Sequence, residues 1–173
     1  MRRDSALVAF YRGDGRDHRG RLLSDIHEFD IHELEFTHDY IQWLFPLPEP
    51  SGANESAPLL SKDDIAAFTG DASLRKALLE SLQLMLQFYG LDLAVRGDSV
   101  EVVRGPNYDE RSALWLTSGN HNFLRISRIL RSLTLLGCSR YATALLECLE
   151  GIYAEHARAI GDTTMGYWRR AVG

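Results

Sequence analysis

The sequence predicts a mainly α-helical fold, a bundle of about six to eight helices with one small β-hairpin near residues 91–104. Three observations predict it. Apolar residues recur at helical spacing over most of the chain, and helix-start signals precede several of these runs. The period changes to two only in the segment LDLAVRGDSVEVVR. The 173 residues are 45% hydrophobic and 25% charged, so we expect one globular domain over residues 1–173.

The amino-terminal segment predicts an irregular arm. Residues 1–20 are rich in Gly, Arg and Asp, with Phe10 and Tyr11 as anchors, and a short helix is expected at about 21–28. The arm carries arginines that could contact an anion, although a solvated arm explains them more simply: Arg12, Arg16, Arg19 and Arg21.

The next predicted helix runs from Ile31 to Phe45. Asp30 and Glu33 form a capping box at its start, and Pro46 follows its end. It is apolar nearly all round, which is typical of a helix in the middle of a bundle. A narrow polar stripe remains, made of Glu35, His38, Asp39 and Gln42. That stripe must face a cleft or find partners inside the fold.

The remaining elements follow from local signals. A proline-rich loop is expected over 46–60, and Ser61 with Asp64 forms a second capping box. A longer helix over 72–89 ends at Gly90, in the position that favours a left-handed residue. After the hairpin we expect helices at about 108–117, 120–136 and 140–160, and a short terminal helix with Tyr167 and Trp168.

The helix expected over 120–136 offers partners for the polar stripe. Its apolar face consists of Phe123, Ile126, Ile129, Leu130, Leu133 and Leu136. Beside that face lie His121, Arg125, Arg128 and Ser132. One interpretation is an ion-pair network that joins Glu35 and Asp39 to Arg125 and Arg128 and locks two helices together. The other is that the same groups line a recognition cleft with apolar walls.

Composition excludes some classes of function. The net charge of −5 argues against nucleic acid and anionic lipid as partners. No apolar run approaches the ~18 residues of a membrane span. Cys138 and Cys148 lie ten residues apart in a predicted helix, about 15 Å along its axis, so we expect free thiols and a cytoplasmic protein. Glu35 and His38 have the E-x-x-H spacing of di-iron bundles but lack a second copy, so no metal and no cofactor is expected.

Several segments together resemble one family. They are FYRG at 10–13, GR at 20–21, HDYIQWLFP at 38–46, LMLQFYG at 84–90 and NHNFLRISRILRSL at 120–133. They are similar to the conserved amino-terminal region of the opioid growth factor receptor family, over residues 8 to about 150, with a helical extension at 151–173. All basic residues except Lys62 and Lys76 are arginines, so the chain resembles a bacterial member.

The resemblance implies a receptor-like binding module, since the vertebrate members are receptors for a short enkephalin peptide. We expect a peptide or small anionic ligand in a helical cleft. Its candidate contacts are Tyr11, Arg21, His38, Asp39, Gln42, Trp43, Asn120, His121, Asn122, Arg125 and Arg128.

Two alternatives stay open. The first is an enzyme that uses His38 or His121 as acid or base with Asp39 as orienter. The second is a structural partner protein, with a homodimer through residues 140–173. No motif in the sequence decides for a reaction, so catalysis is the less favoured of the three interpretations.

Overall fold

A computed structural model of the protein describes residues 3–173 and confirms a mainly α-helical fold with one hairpin. These residues form ten helices: α1 Ala6–Arg12, α2 Leu23–His27, α3 Ile31–Phe36, α4 Ile41–Leu44, α5 Lys62–Gly70, α6 Ala72–Tyr89, α7 Tyr108–Trp115, α8 Asn122–Leu135, α9 Ser139–Ile160 and α10 Asp162–Val172. The strands are β1 Leu91–Arg96 and β2 Ser99–Arg104. More helices form than expected because the first four have only four to seven residues each. None of the ten has the length and apolar content to cross a bilayer.

The chain divides into two compact units. The first unit ends at Leu82 and the second begins at Gln83, so the division falls inside α6. Each unit contains its own buried apolar residues. The expectation of a single domain over residues 1–173 stays a prediction.

The predicted irregular arm is wrong for residues 6–12, which form α1. The Ser5 hydroxyl accepts a hydrogen bond from the backbone N–H of Val8 at 3.1 Å, and Gly13 ends the helix with φ +85°. These are ordinary helix caps. The helix between them is too short to show a long periodic run of apolar residues, so its periodicity does not predict it. The anchoring role of Phe10 and Tyr11 is confirmed, since both side chains are buried.

The single helix predicted from Ile31 to Phe45 is also wrong, because the chain leaves the helix between α3 and α4. Thr37 is extended, with φ −96° and ψ 127°. The break lets Tyr40 turn back into the core, where its hydroxyl donates to the carbonyl of Leu34 at 2.6 Å. The predicted polar stripe therefore does not lie on one helix, and Phe36 is 66% exposed instead of buried.

Both predicted capping boxes are confirmed. The Asp30 carboxylate accepts from the Glu33 backbone N–H and the Glu33 carboxylate accepts from the Asp30 N–H, each at 2.8 Å. Ser61 and Asp64 exchange the same two contacts at the start of α5, at 2.8 and 3.1 Å. These pairs satisfy backbone donors that a helix start leaves without partners, and each contributes about 1 kcal/mol.

The carboxyl end of α6 is closed by side chains from α7. Arg111 Nε donates to the carbonyl oxygen of Phe88 at 2.7 Å, and Trp115 Nε1 donates to that of Tyr89 at 3.0 Å. A buried cation at this end of a helix also complements its dipole. Gly90 follows with φ +80°, as the sequence predicts.

The hairpin pairs β1 with β2 around a two-residue turn. Arg96 lies opposite Ser99 and Gly97 has φ +60°. Leu91 and Val102 share one face of the ribbon and are buried, and β2 lies against α9. The alternation of apolar and polar residues thus predicts the inner face correctly.

The helices after the hairpin build the core of the second unit. The six predicted apolar residues of α8 are all buried. Trp168 in α10 is fully buried, and its Nε1 donates to the carbonyl oxygen of Phe123 at 3.0 Å. Trp168 of the predicted terminal helix therefore belongs to this core.

Gly90→Ala should reduce the free energy of unfolding by more than about 2 kcal/mol, measured by urea denaturation. A Cβ at this position would lie 2.7 Å from the Tyr108 Cα and 2.9 Å from the Arg111 Cβ, at a positive φ. The control is Gly151→Ala in α9, where no atom lies within 4 Å of the new Cβ. It should stabilise by about 0.5–1 kcal/mol, and equal effects at both sites would contradict the packing described.

Candidate functional site

A buried carboxylate organises the loop between α1 and α2. The Asp17 side chain has no exposed surface. Its Oδ1 accepts from the backbone N–H groups of Arg19 and Arg21, each at 2.9 Å, and its Oδ2 accepts from Arg21 Nε at 2.7 Å. The backbone closes the same loop, since the N–H of Asp17 donates to the carbonyl of Arg21 at 2.9 Å. This loop is consequently rigid, with its polar groups held in fixed directions.

Asp39 lies next to this loop, and three positive or polar groups lie close to its carboxylate. Arg21 Nη2 donates to Asp39 Oδ1 at 2.9 Å. Arg19 Nε lies 3.1 Å and His18 Nε2 lies 3.7 Å from Asp39 Oδ2. The Arg19 side chain is 67% exposed, whereas that of Arg21 is 18% exposed. Arg19 is therefore the accessible cation of the cluster.

A histidine and a tryptophan form the apolar side of the cluster. Trp43 Nε1 donates to His18 Nδ1 at 3.0 Å, and the two rings are nearly parallel with centroids 6.3 Å apart. An indole N–H only donates, so the Nδ1 of His18 accepts and its proton lies on Nε2, towards Asp39. Trp43 is 6% exposed, and the Phe10 ring packs against it with centroids 5.1 Å apart.

The loop over 46–60 adds a polar side chain to the same region. Gln42 Nε2 donates to the carbonyl of His38 at 3.3 Å. Asn54 Nδ2 lies 3.4 Å from Gln42 Oε1 and 3.5 Å from the carbonyl oxygen of Asp39. These contacts hold the loop near α4.

Tyr11 belongs to the core and not to this surface. Its hydroxyl donates to the carbonyl of Leu44 and lies 3.2 Å from Ser81 Oγ. Ser81 Oγ in turn lies 2.8 Å from His27 Nε2. Burial lowers the pKa of His27 below its usual 6.5, although Glu80 acts in the opposite direction.

The other predicted contacts lie in the second unit, around the start of α8. Asn122 is buried, and its Oδ1 accepts from the Tyr89 hydroxyl at 3.3 Å and lies 3.4 Å from Arg125 Nη1. Asn120 Oδ1 accepts from the Asn122 backbone N–H at 2.9 Å and so caps the helix. Arg125 is 6% exposed, His121 is exposed and Arg128 is half-buried.

The structure thus brings four predicted residues together in the first unit: Arg21, Asp39, Gln42 and Trp43. Sequence reasoning missed Asp17, His18 and Asn54, which complete the cluster. For Arg19 the sequence allowed contact with an anion as one of four arm arginines, with a solvated arm as the simpler explanation. The four-residue spacing from Asp17 to Arg21 was a usable signal for an ion pair, whereas nothing local marks His18 or Asn54.

Two chemical features bear on catalysis. Asp39 lies beside His18, whose basic nitrogen already accepts from Trp43, so this pair has no free base. Neither Cys138 nor Cys148 forms a disulfide, and burial raises the pKa of Cys148 to about 11, which keeps it a thiol at neutral pH. Neither feature provides an activated nucleophile.

The comparison with known proteins identifies the family. The sequence pattern of the opioid growth factor receptor conserved region matches residues 8–173. The chain belongs to this family. The match includes the carboxyl-terminal helices and so extends beyond residue 150, where the sequence analysis placed the end of the resemblance. Of the quoted motifs, FYRG covers the end of α1, HDYIQWLFP surrounds α4, and NHNFLRISRILRSL lies on α8.

The most informative relatives are vertebrate proteins. The opioid growth factor receptors of Rattus norvegicus and Homo sapiens are each 38% identical over 98% of this chain. The opioid growth factor receptor-like protein 1 of Xenopus tropicalis is 38% identical over 68% of it. The chain spans only 30%, 25% and 22% of these three proteins respectively. No solved structure shows significant similarity to the chain.

Asp17→Asn should destabilise the protein by about 2–4 kcal/mol, because it removes a buried charge and turns an amide NH2 towards hydrogen-bond donors. Urea denaturation measures the change. Asp14→Asn, at an exposed position in the same loop, is the matched control and should stay within about 0.5 kcal/mol. An equal, small effect at both positions would refute the organising role of Asp17.

His27→Gln should weaken the pH dependence of stability. The folded state favours neutral His27, so its contribution is complete above the ordinary pKa of 6.5 and is lost as pH falls below it. The melting temperature should therefore fall less between pH 7.5 and 5 in the variant than in the wild type. The control is His156→Gln at an exposed position, which should behave like the wild type. If the melting temperatures of both variants change with pH as that of the wild type does, His27 does not cause the pH dependence of stability.

Proposed function

We propose that this chain is a peptide-recognition module in which Arg19 binds the carboxyl-terminal carboxylate of a short peptide. One observation carries the proposal. Arg19 is two-thirds exposed, yet its Nε lies 3.1 Å from a carboxylate oxygen of Asp39, on a loop that the buried Asp17 holds in place. An oriented guanidinium with its two Nη groups left open to solvent suits a bidentate contact to a carboxylate.

The neighbours of Arg19 favour a peptide over a simple anion. Asp39 partly neutralises the cluster, which disfavours highly charged anions such as phosphate esters. The His18 ring, which accepts a hydrogen bond from Trp43 Nε1, offers a flat surface for an apolar or aromatic side chain next to the carboxylate. A peptide carboxyl terminus supplies one negative charge with an adjacent side chain and so meets both requirements.

The relatives support the same class of ligand by their name, opioid growth factor receptor. An enkephalin-type peptide, with aromatic residues and free termini, is the first candidate. The candidate contacts in the second unit, Asn120, His121, Asn122, Arg125 and Arg128, stay predictions. A homodimer through residues 140–173 also stays a prediction, although Trp168 is buried and leaves Tyr167 as the exposed aromatic residue of α10. Free cysteines are compatible with the expected bacterial, cytoplasmic setting.

The test is a pair of enkephalin-type peptides that differ only at the carboxyl terminus, one free and one amidated. The free acid should raise the melting temperature, while the amide at the same millimolar concentration should have a much smaller effect. Arg19→Ala should reduce the affinity for the free-acid peptide at least tenfold, as measured by calorimetry. Arg19→Lys should restore part of that affinity.

The matched control is Arg158→Ala, which removes an exposed arginine from α9 and should leave the affinity unchanged. High salt should reduce binding of the free acid, because the contact is partly exposed. Equal binding of acid and amide, or no stabilisation by either peptide, would refute the proposal.

A further inference from the structure

The outer edge of β1 carries backbone groups that no described residue satisfies. The Gly105 N–H donates to the Gly90 carbonyl at 2.9 Å, and the two-residue turn closes the other end of the ladder. Hydrogen-bonded pairs alternate in an antiparallel ladder, so the even-numbered residues of β1 bond to β2. The N–H and C=O groups of Leu93 and Val95 therefore point away from β2. Within residues 3–173 they have no hydrogen-bond partner.

The side chains of β1 alternate in a symmetric pattern about Ala94. Leu93 and Val95 lie on one face, and Val95 is 54% exposed. Asp92 and Arg96 lie on the other face, both exposed, and neither has an ion-pair partner in the described part of the chain. Charges commonly guard a free strand edge against pairing. Here the two charges have opposite signs and lie at equal distances from Ala94, which makes the edge complementary to itself.

We propose that β1 pairs with β1 of a second copy of this chain, antiparallel and with the two-fold axis at Ala94. An isologous edge contact brings the same residues together from both copies, which requires the antiparallel arrangement. In this register Leu93 exchanges backbone hydrogen bonds with Val95 of the second copy. Asp92 then lies opposite Arg96 of the second copy, twice, in non-hydrogen-bonded pairs where side chains approach most closely.

The charges favour the register centred on Ala94 over the register centred on Leu93. Pairing centred on Leu93 also satisfies the outward backbone groups, but it places Asp92 opposite Ala94 and leaves all four charges without partners. A shift by one residue would oppose groups that already bond to β2. An unrelated extended peptide would not require a pattern symmetric about Ala94, so a second copy is the partner that the edge fits. Since two short strands bury little surface, the dimer is weak.

The test measures self-association by sedimentation of the full chain up to millimolar concentration. The wild type should dimerise reversibly. Asp92→Arg and Arg96→Asp each oppose like charges twice and should weaken self-association at least about tenfold. The double variant should recover the wild-type behaviour. A mixture of the two single variants should associate as a heterodimer, because each charge then meets its opposite.

Two further variants test whether self-association depends on the β1 edge and not on the net charge. Glu55→Arg changes the net charge as Asp92→Arg does, at an exposed loop position, and should dimerise like the wild type. Val95→Pro removes an outward N–H without touching the bonds to β2, and should weaken the dimer while circular dichroism stays unchanged. A wild type that stays monomeric overturns the proposal, as expected if another extended segment occupies the edge. A dimer insensitive to the charge changes, or a mixture that does not associate, overturns it as well.

Discussion

The candidate site depends on the burial of one carboxylate, that of Asp17. Because its oxygens accept from Arg19 and Arg21, the loop before α2 has one conformation. Arg21, oriented in this way, donates to one Asp39 oxygen, and the other lies 3.1 Å from Arg19 Nε and 3.7 Å from His18 Nε2. The exposed guanidinium of Arg19 thus lies beside a network that is organised by a charge that solvent does not reach. A buried ion pair of this kind adds little net stability, but it holds polar groups ready for a ligand without the entropy cost of ordering them.

Local signals explain which parts of the fold were predictable. The capping boxes at Asp30 and Ser61 and the turn at Gly97 involve groups within four residues of each other, so their chemistry is readable in the sequence. The end of α3 is different, because it depends on the Tyr40 hydroxyl reaching the Leu34 carbonyl inside the core. The polar residues Thr37, His38 and Asp39 lie at the break, but apolar residues at helical spacing continue on both sides of it, so the periodicity does not show the turn.

The site shows the same division. The motif HDYIQWLFP and the predicted polar stripe indicated Asp39, Gln42 and Trp43 as site residues. The motif at residues 20–21 indicated their partner Arg21. His18 and Asn54 were out of reach because they act through contacts with residues 12 or more positions away. The prediction that one helix aligns Glu35, His38, Asp39 and Gln42 was wrong, because that helix is divided into α3 and α4. Asp39 has its polar role, but it faces the loop before α2.

The closure of α6 by Arg111 and Trp115 bears on how the chain is synthesised. The carbonyls of Phe88 and Tyr89 obtain these side-chain donors only after some two dozen further residues have left the ribosome. Until then the last turn of α6 has water as its partner and frays. The strand pairing of the hairpin is local and can begin during that interval, whereas the contact of β2 with α9 forms later. Arrival of α7 then completes the helix, so the order of translation matches the order in which each backbone group finds its partner.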